Sequence, residues 1–139
     1  MLRTRALGVM CNRLSMDWTE LSEFKGIDLN DSFVLSWYQT SNKVEIRLEA
    51  SIWPQSAYYI KPKSDEHTCY RRATLTILGA VKVTGLLPMD TVEPTIDPDG
   101  TEDYGNIDSL LKISNGYSIT GEFGLVQISG GKLEFKINT

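Results

Sequence analysis

Lys43-Val44-Glu45-Ile46-Arg47-Leu48-Glu49-Ala50-Ser51-Ile52 alternates apolar and polar side chains without a fault. Successive side chains on a strand point to opposite faces. Val44, Ile46, Leu48, Ala50 and Ile52 are thus assigned to a core face, and Lys43, Glu45, Arg47 and Glu49 to water. The opposed charges on the wet face also discourage edge pairing with other molecules.

Outward from this strand the period of two continues. Gln39-Thr40-Ser41-Asn42 has turn composition, and Ser32–Tyr38 before it is β-rich. After it, Trp53-Pro54 is a break, Ala57–Ile60 a short strand candidate, and Pro62 marks an edge or an end. A second long strand is expected over 70–85, with Ala73, Leu75, Ile77, Val81 and Val83 sharing one parity. Gly79 interrupts it as a bend or a bulge. Asn115-Gly116 lies between Leu111-Lys112-Ile113 and Tyr117-Ser118-Ile119, a strong hairpin signal. Gly130-Gly131 is read the same way, joining Leu125–Ile128 to Leu133–Ile137, so the last third of the chain is expected to be a three-stranded meander.

One short helix is expected near the start. Asp17-Trp18-Thr19-Glu20 has the form of a capping box, Trp18, Leu21 and Phe24 share a face, and Gly26 suits a helix end. The sum is a mainly β chain: an antiparallel sandwich or partly open barrel of about seven strands with one short N-terminal helix. There is no βαβ alternation to suggest a Rossmann-type sheet, and no internal repeat or linker. Residues 16–139 are read as a single β-rich domain. Residues 1–15 are read as a disordered extension, or as the product of an upstream start with Met16 as the natural beginning. Their apolar run is too short for a secretory signal, so a cytoplasmic location is expected.

The chain has 139 residues, 41% hydrophobic and 23% charged, which is ordinary globular composition. No apolar run approaches the ~18 residues of a membrane span. The net charge of −4 is unevenly spread. Arg3, Arg5 and Arg13 stand in the first fifteen residues with no acid. Leu87–Ser109 holds Asp90, Glu93, Asp97, Asp99, Glu102, Asp103 and Asp108 with no Lys or Arg. An acidic body repels phosphate backbones, so nucleic acid is not an expected partner. Two cysteines, Cys11 and Cys69, are too few for a disulfide framework.

Few residues carry a chemical signal. Asp97-Pro98-Asp99-Gly100-Thr101-Glu102-Asp103 alternates carboxylates around a glycine, as loops that wrap Ca²⁺ do. Asp97, Asp99 and Asp103 are the candidate ligands. Against them, Thr95 stands where the first Asp of such loops belongs, and a solvated turn explains the composition as well. The expectation is therefore no metal and no cofactor. His67, the lone histidine, has Ser64, Asp65 and Glu66 beside it, but neighbours in sequence rarely orient one another as a triad, and no G-x-S-x-G elbow is present. Glu45 and Glu49 could serve as paired acids, but their alternation with Lys43 and Arg47 reads as a solvated face. Trp37 and Trp53 are assigned to the core. Tyr58-Tyr59 places one ring on each face, so at least one is expected at the surface. Lys61, Lys63, Arg71 and Arg72 form a small basic zone.

Leu29-Asn30-Asp31-Ser32-Phe33-Val34-Leu35-Ser36-Trp37, with the regular strand 43–52 after it, resembles the opening of small bacterial β-rich proteins. Some of those are immunity proteins of polymorphic toxin systems. The resemblance implies a protein that binds and blocks another protein, with no catalytic residues. The leading expectation is thus a non-enzymatic, immunity-like module. It would meet a basic protein partner through Asp97, Asp99, Glu102 and Asp103, with Tyr58 and Tyr59 as exposed aromatics. The alternatives are a small-ligand-binding or hydrolytic β-barrel, and a calcium-binding loop at 97–103.

Overall fold

The computed structural model describes residues 15–62 and 69–138. The regular alternation does form one strand, Lys43–Ile52. Numbered along the chain, the strands are β1 (Met16–Asp17), β2 (Ile27–Gln39), β3 (Lys43–Ile52), β4 (Cys69–Leu86), β5 (Thr95–Ile96), β6 (Glu102–Asp103), β7 (Ile107–Ile113), β8 (Gly116–Gly121) and β9 (Gly124–Ile137). Seven make one antiparallel sheet in the order β1-β7-β8-β9-β4-β3-β2, and β5 pairs with β6 alone. The sheet is not closed into a barrel.

Apart from β1, that order is two three-stranded meanders, β2-β3-β4 and β7-β8-β9, joined through β4 and β9. The two halves share a local device. Each first hairpin turns at a Ser-Asn pair, and the Asn carbonyl then accepts from a glycine in the third strand. Asn42 O receives Gly79 N–H at 2.7 Å, and Asn115 O receives Gly130 N–H at 2.7 Å.

Those glycines correct two readings of the sequence. Gly79, Gly130 and Gly131 have φ of +76°, +72° and +91°, a region that L side chains rarely enter. They sit where the β4–β9 register shifts between Ala80 and Lys82. Gly130-Gly131 therefore lies inside one continuous strand, facing a bulge whose extra residue is Val81, and is not a hairpin turn. The β8–β9 turn is instead Glu122-Phe123. The left-handed conformation of Gly79 also breaks the parity of β4. Ala73, Leu75 and Ile77 face the core, then Ala80 does, while Val81 is 84% exposed and Val83 only half-buried.

The expected helix is two 3₁₀ turns, Trp18–Glu20 and Ser22–Phe24. The capping box is present: Asp17 Oδ2 accepts from Thr19 N–H at 3.2 Å, and Glu20 Oε2 accepts from Asp17 N–H at 3.0 Å. Trp18, Leu21 and Phe24 are all buried. They recur every three residues, the period of a 3₁₀ turn rather than the 3.6 of an α-helix. Residues 57–60 are not a strand but continue a turn after Trp53. Trp53 is 38% exposed, contrary to its assignment to the core.

β2, at one edge of the sheet, is bonded along part of its length to residues 104–106. Val34 N–H donates to Gly105 O, and Val34 O accepts from Tyr104 N–H, both at 2.8 Å. Phe33 and Asn106 make a further bridge. Three residues on, Trp37 is buried with its ring edge-on to Tyr104, at 5.0 Å, and to Phe123, at 5.9 Å. Its Nε1–H donates to Leu87 O at 2.6 Å. Leu87 N–H in turn donates to Phe123 O at 2.8 Å. The acidic segment is thereby pinned at both ends to the tryptophan's surroundings.

Trp37→Ala is expected to cost about 3–5 kcal/mol in denaturant unfolding, the range for deleting a buried aromatic. Trp53→Ala should cost well under half of that, since its ring is partly in water.

Candidate functional site

The acidic segment builds its own frame. Pro88 leads into a 3₁₀ turn, Met89–Thr91, and Met89, Val92 and Tyr104 pack against the core. Between these anchors the chain runs out as the hairpin β5–β6, with its tip at Asp97-Pro98-Asp99-Gly100-Thr101. Asp97 N–H donates to Thr101 O and Gly100 N–H to Asp97 O, both at 2.8 Å, which closes the turn. The Thr101 hydroxyl lies 2.7 Å from Asp99 Oδ1 and 3.2 Å from Asp97 Oδ2. Asp99 Oδ1 also accepts Thr101 N–H at 3.0 Å. These bonds, the hydroxyl first and the amide second, hold the Asp99 carboxyl below the usual aspartate range.

Asp97, Asp99 and Glu102 are exposed, and so is Ile96, at 65%. Asp103 turns back and is half-buried, its Oδ1 accepting Gly105 N–H at 2.8 Å. Among the described residues the three ion pairs all lie on β3 and β4, so the hairpin's charges face solvent without a cation. No group of three or more His, Cys, Asp or Glu side chains among the described residues could hold a metal ion. The bonds to Thr101 and Gly105 point the candidate calcium ligands at their own loop.

The tyrosines lie elsewhere. Tyr58 is 45% exposed and borders a cleft of about 410 Å³ with Lys25, Ile27, Phe135 and Lys136. No residue of 87–105 lines it. Tyr59 packs partly against the core. Arg71 donates to Tyr58 O at 3.2 Å. Cys11, Lys63, Ser64, Asp65, Glu66 and His67 lie outside the described residues.

Glu45 departs from its expected place. It is on the outer face of β3, yet only 9% exposed. Arg47 Nε donates to its Oε2 at 3.1 Å, and Lys43 Nζ lies 3.7 Å from its Oε1. Tyr38 lies opposite it in β2, its ring under the Lys43 ammonium at 5.4 Å. The tyrosine side chain, and then Glu45, raise Lys43 above the usual lysine value. Alternation identifies a face but not how deeply its neighbours cover it, so this carboxylate was not legible as buried.

Set beside known proteins, the chain matches no family model, no curated protein and no solved structure.

The hydrogen bonds at Asp99 give a pH prediction. A carboxyl depressed in the folded loop stabilises it above the unfolded value, and that contribution fades as pH falls through the folded value. In a ¹³C NMR titration, Asp99 should titrate below the usual aspartate range. Thr101→Val should raise its midpoint towards that range.

Proposed function

We propose that the chain is a non-enzymatic binding module that offers the hairpin β5–β6 to a basic protein partner. One observation carries this reading: Asp97, Asp99 and Glu102 stand out from the sheet on a turn already locked by backbone and threonine bonds, with no cation paired to them among the described residues. A rigid turn spends little ordering entropy on binding. Uncompensated like charges on an exposed tip speed the capture of an oppositely charged surface and select against acidic ones. Ile96, exposed next to them, supplies an apolar contact. The resemblance of 29–37 and the strand after it to small bacterial β-rich proteins, some of which are immunity proteins, is in keeping with the same reading. The anchoring by Trp37 and Val34 fits it too, because it separates the presenting tip from the part that holds the fold.

A photo-cross-linking residue at Ile96, introduced into the full chain in its source organism, should yield one defined protein adduct. The triple reversal D97K/D99K/E102K should reduce that adduct about tenfold or more, given the size of charge-pair contributions at interfaces. Glu134→Lys, a single charge reversal on the sheet face away from the tip, should leave it unaltered. Absence of an adduct, or equal loss in the Glu134 variant, contradicts the proposal.

A further inference from the structure

The buried Glu45 marks a second site on the outer face of β2, β3 and β4, built from none of the acidic hairpin. A groove of about 490 Å³ is bordered there by Ser36, Glu45, Arg47, Arg72, Thr74 and Asn138. The β3–β4 register puts Arg47 opposite Thr74 and Glu49 opposite Arg72, so the two arginines are diagonal neighbours on one face. Each is held from the side by a carboxylate. Arg47 Nε bonds Glu45, and Arg72 Nε lies 3.7 Å from Glu49 Oε1. Contact through Nε leaves the terminal Nη edge of a guanidinium available as a two-pronged donor. The two side chains are 61% and 70% exposed, so those edges reach solvent. Thr74 and Asn138 bond each other across the rim, Asn138 Nδ2 to Thr74 Oγ1 at 3.0 Å.

The charge balance decides what such a groove would hold. Lys43, Arg47 and Arg72 set three cations against Glu45 and Glu49, which leaves a local surplus of one positive charge on a chain of net −4. Glu45 cannot swing away to water, being covered, so it fixes Arg47 rather than competing for the groove. Planar forks of this kind match the oxygen spacing of phosphate and carboxylate groups. The volume lies within the range of small-molecule sites.

We propose that this groove binds a doubly charged oxyanion, the phosphoryl group of a small polar molecule, between the Nη edges of Arg47 and Arg72. Ser36, Thr74 and Asn138 supply the neutral hydrogen bonds around it.

The test is a ¹⁵N NMR titration of the full chain with inorganic phosphate, near pH 7.5 where the dianion dominates, at ionic strength held constant with sodium chloride. Saturable shifts at Ser36, Arg47, Arg72 and Thr74 are expected. R47Q/R72Q should weaken binding about tenfold or more, the worth of hydrogen bonds to charged groups. R47K/R72K, which keeps charge but not the fork, should weaken it several-fold. Arg71→Gln, the loss of one charge on the other side of the same strand, should change it less than about twofold once salt screens it. Acetate should bind more weakly than phosphate. Shifts that fail to saturate, or that spread equally to Lys25 and Lys61, overturn the proposal. So does wild-type binding in R47Q/R72Q or R47K/R72K, an equal loss in Arg71→Gln, or acetate binding as well as phosphate.

Discussion

An open antiparallel sheet has two unpaired edges, and here one of them is occupied by the chain's own acidic segment. Both backbone groups of Val34 are spent on residues 104 and 105, and the Trp37 indole is spent on Leu87, at the other end of the same segment. Backbone bonds left unmade in such a place would cost free energy and invite pairing with other chains. The rest of the arrangement follows from that fastening. Tyr104 and Phe123 can pack on Trp37 only because the strap is drawn in at both ends. The middle of the strap, residues 95–103, is then left to project, its aspartates bonded only within their own turn.

The two meanders meet this fastening from opposite sides. Their third strands, β4 and β9, are the longest in the sheet and lie against each other. The left-handed glycines at 79, 130 and 131, with the bulge at Val81, bend these long strands. The carbonyls of Asn42 and Asn115 accept from the amides of Gly79 and Gly130 at these bends. β2 bends by a different route. Four residues, Leu29–Ser32, stand between pairs whose partners are only two apart, Ser51 and Glu49. Ser32 fills the gap, its hydroxyl donating to Asp28 O at 2.7 Å and accepting Ser51 N–H at 3.0 Å. This is how an N-D-S stretch with turn composition lies inside a strand.

What the sequence disclosed divides along physical lines. Period-two alternation located β3 to the residue, and Asn115-Gly116 located the β7–β8 hairpin, because both signals are local. The capping box was legible for the same reason, although the turn it caps is 3₁₀. Gly130-Gly131 was misread because paired glycines between alternating runs suit a turn and a bulge equally, and only the long partner β4 decides between them. Trp53 was misread because hydrophobicity sets a preference for burial, not the space to satisfy it. At the surface, composition disclosed the exposed acidic tip. It did not disclose the groove of Arg47 and Arg72, whose members are 25 residues apart in the chain and meet only through the β3–β4 register. The result is a molecule with two charge regimes: carboxylates bonded within their own projecting turn, and carboxylates paired with arginines on the sheet.

Native-state hydrogen exchange tests the central fastening most directly. The account predicts that the amides of Val34 and Tyr104 exchange only on global unfolding, with the same opening free energy as those of β3, while exposed amides of the hairpin such as Glu102 exchange far faster. If Val34 and Tyr104 instead exchange at the hairpin's rate while β3 stays protected, the strap does not hold β2, and the account is contradicted.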